Sequence, residues 1–387
     1  PESRTQVAMK TIGIIGGGQL GLMIAEQARL LGVRTACLDP AADAPAGAVC
    51  DDHIVGRFDD PEAVEELCRR SDVVTYEFEN VPGEILIPLC GKYNIPQGYR
   101  PLYDSQDRLR EKSNARDHGL RTPRFAAVDD MASLRAAVAE IGLPAVLKTR
   151  TLGYDGHGQQ VLRTEEDLRK AEPLLAVPCI LEEFVPFDFE ASIVMVSDGE
   201  RVVSFPIGRN VHRDGILDLC FVPAEVDGAV LARMKSESER FMRDCGYRGI
   251  LAIEYFVRQG EIYFNEMAPR PHNSGHYTIE GATTNQFREL VRYLVGMPLE
   301  EPRLVAPTVM KNILGRTSKR PARWRPSTVR VSTCTSTARA KAVPSARWGT
   351  SPSSACRPGS TNATGRPVLS DGCRRSFENL KIHIRKR

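Results

Sequence analysis

The sequence predicts a protein of the α/β and α+β class. A small doubly wound N-terminal domain comes first, then a larger mixed domain, then a basic tail of different character. Three observations predict this. Strand and helix patterns alternate from Thr11 to about residue 100, opening on a strand, a glycine-rich turn and an amphipathic helix. Between about residues 180 and 265, apolar segments follow one another as in an antiparallel sheet. After Gly315 the periodic apolar pattern stops.

Residues 11–15 read as a short apolar strand. Gly16-Gly17-Gly18-Gln19-Leu20-Gly21 follows, then a helix to about Leu31 that Gly32 ends, and a strand over 33–38 closing on Asp39. This is a βαβ unit, for which a right-handed crossover is expected. Residues 61–70 read as a helix and 73–76 as a strand with Glu77 and Glu79 at its carboxyl end, and 85–90 is apolar again. A second pattern begins near Ser105. It has a charged helix over 107–118, a helix ending at 138–142, a strand over 144–148 carrying Lys148, and a glycine-rich loop from Gly153 to Gly158. A helix starts at 165–170 and a strand runs over 179–184. Residues 190–196, 202–206, 250–256 and 261–265 read as antiparallel strands, with helices at 229–245 and 286–294. His212 falls in a loop, and no internal repeat is visible. The expected division is 9–104, 105–300, the start of a last domain at 301–315, and a tail at 316–387.

Composition narrows the class. Hydrophobic residues make up 42% and charged residues 26%, as in ordinary globular proteins. No apolar run approaches the ~20 residues that span a bilayer, so no membrane partner is expected. Residues 1–10 hold no apolar signal core, and Met9 is the expected natural start. The ten cysteines are scattered without a CxxC pair, which predicts reduced thiols in a cytoplasmic protein. Of the chain's 52 basic and 49 acidic residues, 17 and 2 lie after Gly315; residues 1–315 therefore carry 35 and 47, a net of −12. That acidic body argues against a nucleic-acid partner.

The chemistry concentrates near residue 265. Ile262-Tyr-Phe-Asn265-Glu266 is a strand that delivers an acid, and Arg270, His272, Asn273 and His276 follow within ten residues. Upstream, the strand from Gly249 brings a second acid, Glu254. Two carboxylates at the ends of neighbouring strands are a hard-oxygen site of the kind Mg2+ uses when it bridges phosphates. The bland alternative is a hairpin with a solvated polar end. Lys148 stands before a glycine-rich loop, where it can reach nucleotide phosphates; the alternative is a strand-end lysine beside a turn. Glu182, Glu183, Phe184 and Val185 place backbone donors and acceptors at a strand end, which suits an adenine edge, and Glu190 suits ribose hydroxyls. Gly16-x-Gly18-x-x-Gly21 with Asp39 about twenty residues on also fits a dinucleotide fingerprint. An NAD-dependent oxidoreductase is therefore the reading from another class, although nothing downstream supplies a hydride-transfer site.

In this order, GGGQLG, Arg108 in DRLREK, AVLKT, GYDGHGQ, EEFV, NVHRDGIL, AIEYF and NEMAPRPHNSGH resemble the ATP-grasp enzymes. Among these the chain is most similar to the N5-carboxyaminoimidazole ribonucleotide synthetase family of purine biosynthesis. The resemblance covers about residues 10–315; GYDGHGQ and NEMAPRPHNSGH are its specific parts. It implies an ATP-grasp fold: a Rossmann-like domain at 9–104, an ATP-grasp domain at 105–300 and a homodimer. It also implies a ligase that joins bicarbonate to 5-aminoimidazole ribonucleotide while ATP becomes ADP and phosphate. Another ATP-grasp carboxylase or a formate-dependent purine enzyme is the rival within the superfamily. By motif, Arg108, Lys148, Gly153, Tyr154, Asp155, Gly156, His157, Gly158, Gln159, Glu182–Val185, Glu190, His212, Asn265 and Glu266 would contact ATP. Glu254 and Glu266 would hold Mg2+. Arg270, His272 and Asn273 would position bicarbonate. Tyr154 and Asp155 would meet the aminoimidazole, with Gln19, Leu20 and Glu79 lining its side. Many ATP-grasp enzymes have an asparagine two residues after the second metal acid; here it is Ala268.

The family ends in a small β domain with a basic motif of the form K-x-x-x-R-P-x-R-K-M-G-H, which is absent here. Residues 331–351, back-translated with free codon choice and read from the third base of each codon, give VHLHLYGKGEGRPERKMGHV. The tail from about Arg316 is thus expected to be out-of-frame translation, disordered or poorly packed, with weak activity as the consequence.

Overall fold

The computed structural model describes residues 10–153, 158–314 and 330–336. All of these lie in one compact unit. Three sheets form it, each from a different sequence pattern.

The first sheet is parallel, in the order β3-β2-β1-β4: β1 is Thr11–Ile15, β2 Arg34–Asp39, β3 Asp52–Val55 and β4 Val73–Tyr76. Its strands are nearly all apolar because helices cover both faces. On one face lies the helix Gln19–Leu30, whose Ile24, Ala25 and Ala28 pack with Phe287, Leu290, Val291 and Leu294 of the helix Gln286–Val295. That contact ties the first sheet to the rest of the molecule. On the other face lies Pro61–Arg69. It starts there because Pro61 fixes the first turn and Asp60 accepts from Glu62 N–H (3.0 Å). The expected elements of this region are present. The short strand β3 was not foreseen, and the apolar stretch near residue 85 is a helix, Gly83–Cys90.

A second, antiparallel sheet has the order β5-β8-β6-β7: β5 is Phe125–Val128, β6 Ala145–Thr149, β7 Gln159–Leu162 and β8 Cys179–Glu183. Helices Met131–Ile141 and Glu165–Lys170 cover it, each started by a capping box, Asp130 with Ser133 and Thr164 with Asp167.

The largest sheet runs β14-β13-β9-β11-β12-β15-β16, with β10 beside β9. Its strands are β9 Phe189–Ser197, β10 Val202–Ser204, β11 Gly208–Arg213, β12 Ile216–Val222, β13 Gly249–Arg258, β14 Glu261–Ala268, β15 Thr308–Leu314 and β16 Arg330–Ser336. Alternation along β13 sends Leu251, Ile253, Tyr255 and Val257 into a core under the helix Gly228–Asp244, and leaves Ala252, Glu254 and Phe256 on the opposite face.

Two expectations change. His212 is not in a loop: it lies in β11, joined to β12 by the Asp214-Gly215 turn, a hairpin signal. Of the tail from 316, the described piece is β16, a strand parallel to β15. The rest of that expectation lies outside the described residues.

Candidate active site

The exposed face of the large sheet and the strand β6 of the second sheet bound one cleft. Glu79, Arg108, Lys148, Gly153, Gln159, Glu190, His212, Glu254, Asn265, Glu266, Arg270, His272 and Asn273 all line it. Seven different segments of chain thus bring together most of the residues the sequence singled out. Tyr154, Asp155, Gly156 and His157 lie outside the described residues.

Glu254 and Glu266 are not at strand ends, as the sequence suggested. They sit within β13 and β14 and are direct cross-strand partners. Partners in such a pair stand about 5 Å apart, and like charges there repel. Burial, and then the charge of Glu266, push the Glu254 carboxyl up. His272 Nε2 lies 3.6 Å from Glu254 Oε1. Its ring is neutral: burial, then Arg270, push it down to about 3. Ser274 meets its Nδ1 through both Oγ (2.8 Å) and N–H (3.3 Å).

Cations surround the acids. Lys148 Nζ donates to Glu182 Oε2 (3.0 Å), and buried Lys112 reaches the same oxygen (3.2 Å). Burial alone would raise Glu182, but the two lysines hold it below the ordinary range. His212 Nδ1 meets Glu190 Oε2 at 2.5 Å. Burial opposes a charge on that ring, yet the bond to Glu190 and the charge of Glu254 lift it to about 9, so it is an imidazolium at neutral pH. Arg108 sits at the start of the helix Arg108–Asp117, its Nη2 reaching Gly153 O at 3.4 Å. Asp107 caps that helix and receives Arg150 through both oxygens, which fixes the helix against the end of β6. Arg270 pairs with Glu79 through two bonds, Nη2 to Oε1 at 3.0 Å and Nε to Oε2. Burial would raise Glu79, and Arg270 keeps it low.

Other expected residues lie apart from this cleft. Glu183, paired with Arg124, and Val185 border a smaller neighbouring pocket, while Phe184 carries Arg163 over its ring. Gly158 takes φ +70, and a Cβ there would meet Thr149 Oγ1 at 2.7 Å, so glycine is required beside the loop. Leu152, just before that loop, holds φ 60 although it is 75% exposed, a strain that functional loops retain. Gln19 and Leu20 open the helix Gln19–Leu30, with Leu20 packed on the first core; neither is among the cleft's walls.

The dinucleotide reading of the glycine turn fails on geometry. Gly17 N–H donates to Asp39 Oδ2 (2.9 Å), Gly18 N–H to Glu77 Oε1 (2.5 Å), and Gly21 N–H to Glu77 Oε2. The seat where a pyrophosphate would lie is filled by the chain's own carboxylates, and Glu77 is buried. Asp39 turns back onto the turn, where a dinucleotide site would offer it to a ribose.

Sequence reasoning missed Glu111, Lys112 and Glu182's double salt bridge. Each is an ordinary charged residue whose burial comes from distant partners, so no local pattern marks it.

A parallel nucleotide-fold sheet, followed by an antiparallel and a mixed sheet that enclose a cleft with paired acids and a strand lysine, defines the ATP-grasp class of ligases. Family models agree: an ATP-grasp domain matches residues 113–287, and a ribonucleotide synthetase preATP-grasp domain matches 9–97. The N5-carboxyaminoimidazole ribonucleotide synthase of Staphylococcus haemolyticus is 40% identical over 310 residues, 79% of this chain and 82% of that protein. A crystal structure of an N5-carboxyaminoimidazole ribonucleotide synthetase in complex with ADP is 43% identical with a TM-score of 0.77, covering 79% of this chain and 82% of that one. The Aspergillus clavatus enzyme, solved with ADP and 5-aminoimidazole ribonucleotide, is 28% identical with a TM-score of 0.73, over 78% and 81%. This chain belongs to the N5-carboxyaminoimidazole ribonucleotide synthase family.

Proposed function

We propose that the protein catalyses the reaction of its family. Bicarbonate is joined to the exocyclic amine of 5-aminoimidazole ribonucleotide, and ATP is cleaved to ADP and phosphate. The observation that carries this reading is the facing pair Glu254 and Glu266, on a cleft whose other walls supply Lys148, Arg108, His212 and Arg270.

The two acids fit Mg2+ by their donor chemistry: hard oxygens, facing each other, with repulsion that a cation would relieve. Among the described residues no group of three His, Cys, Asp or Glu side chains is disposed to hold a metal. Two carboxylates would hold such an ion together with phosphates and water. When bound, Mg2+ would neutralise charge developing on the transferred phosphoryl group. Lys148, Arg108, Asn265 and the loop from Gly153 to Gln159 hold the phosphates; charged His212 adds a cation, and Glu190 takes the ribose. The peptide groups of Glu182–Val185, at the end of β8, receive the adenine, although their side chains do not line the cleft.

Bicarbonate is a poor electrophile. Its oxygen attacks the γ-phosphorus, giving carboxyphosphate and ADP. Arg270 and Asn273 hold the anion, and neutral His272 donates to it without repelling Arg270. The amine nitrogen then attacks the carboxyl carbon, phosphate leaves, and Asp155 takes the amine proton. Tyr154 meets the ring, with Glu79 of the cleft wall on its far side and Gln19 and Leu20 beyond that wall. Carboxyphosphate hydrolyses readily, so the loop at 153–159 must exclude water.

The residues after 315 bear on the rate. The back-translation of residues 331–351 supports reading the tail as out of frame. The ribonucleotide phosphate then loses its basic clamp, so turnover is weak. Sequencing the coding DNA tests this: a tail with no single-base shift restoring the basic motif rules it out. The domain division at 104/105 and a homodimer complete the proposal; the mass in solution tests the latter.

The test of function is ADP release with ATP, bicarbonate and aminoimidazole ribonucleotide, each omitted in turn. Slow release that needs all three is expected. Release that follows formate, or an NADH absorbance change in place of ADP, overturns the assignment.

A further inference from the structure

Faces alternate along a strand, so Ile262 and Phe264, both in the core, imply an inward position for Glu266. Glu266 instead borders the cleft, and Met267 joins Ile262 and Phe264 in the core. The register shows the cause. Glu254 faces Glu266 but Tyr255 faces Phe264, which leaves Asn265 as an extra residue in β14. This bulge shifts the phase by one and turns the acid out of the core.

β14 is also the edge of its sheet. Its outward peptide groups therefore need partners other than a strand. Two adjacent residues of the helix Arg108–Asp117 supply them. Lys112 Nζ donates to Asn265 O (2.8 Å), and Met267 N–H donates to Glu111 Oε1 (2.7 Å). These bonds bracket Glu266 on both sides. The two side chains are 1% and 3% exposed, a costly placement for charges unless they hold something specific.

We propose that Glu111 and Lys112 are positioning residues for the divalent cation. They clamp the Asn265 bulge and so keep Glu266 facing Glu254. The inference rests on the reading of those two acids as the metal site. Neither Glu111 nor Lys112 is assigned contact with a reacting atom; what matters at Glu111 is an acceptor at the right place, not its charge.

Two variants separate these roles. Glu111→Gln keeps an acceptor for Met267 N–H, and Glu111→Ala removes it. The readouts are amide hydrogen exchange at Met267 in the metal-free protein and Mn2+–ADP binding followed by electron paramagnetic resonance. In the alanine variant, exchange at Met267 should rise roughly tenfold or more while the β9 and β13 amides stay protected. Its Mn2+–ADP affinity should fall about 10–100-fold, and the glutamine variant should stay within about threefold of the parent in both readouts. An alanine variant with parental metal affinity overturns the inference. So does a glutamine variant as weak as the alanine one, because charge would then be the active feature. If the parent protein takes up no Mn2+–ADP, the reading of Glu254 and Glu266 fails instead, and exchange at Met267 still decides whether the clamp exists.

Discussion

The glycine turn at residues 16–21 and the cleft around Glu254 both set carboxylates against sheet strands, yet they reach opposite electrostatic states. At the turn, three amides are matched by the carboxylates of Asp39 and Glu77. Burial raises Glu77 there, and the amides of Gly18 and Gly21 counter it; at the cleft two carboxylates oppose each other across neighbouring strands, and the charge of Glu266 adds to burial in pushing Glu254 up. A balanced cluster holds a fold together; an imbalanced one is a site built for an ion that the chain itself does not provide. The fingerprint that looks most like a ligand site is thus structural, and the hairpin that could pass for a solvated polar end is the candidate centre.

The sharpest way to break this comparison is to neutralise each region in turn. Glu266→Gln should lower ADP release about 10²–10³-fold, with the fold intact by circular dichroism. Glu77→Ala should leave Mn2+–ADP affinity unchanged but cost about 1–3 kcal/mol in a urea titration, because buried amides lose their acceptor. Equal effects of the two substitutions on metal binding would erase the distinction. Next in size is a gain: Glu266→Gln should stabilise the metal-free protein by roughly 0.2–1 kcal/mol, since the cross-strand repulsion disappears.

The last expected effect is on pH. His212 has its folded value lifted to about 9 from 6.5. A raised value means its contribution to stability is complete below about 6.5 and is lost as pH rises through 9. The metal-free protein should therefore melt lower at pH 10 than at pH 7, and His212→Gln should narrow that gap. A gap that is unaltered in the variant would show that the Glu190 contact does not hold the imidazolium.

The fold was legible wherever period and punctuation were strong. Strands β1, β2 and β4 of the first sheet, the helices at 61–69 and 286–295, and the long strands β9, β13 and β14 announced themselves by apolar spacing and caps. The hairpin holding His212 was missed because its strands are mixed in polarity, although Asp214-Gly215 marked the turn. Glu254 and Glu266 could be placed on adjacent strands from sequence, but their exact facing could not, because it depends on one bulged residue at Asn265. The residues that brace the site were the least legible. Glu111 and Lys112 read as surface charges of a polar helix; the edge of β14, some 150 residues away, and Glu182 of β8 make them buried.

The most direct measurement is an anomalous difference map of crystals grown with Mn2+ and ADP. The account predicts a manganese peak between the carboxylates of Glu254 and Glu266 and on the nucleotide's terminal phosphate, within reach of Lys148. Bound ADP with the metal elsewhere, or with the two carboxylates turned from it, would contradict it.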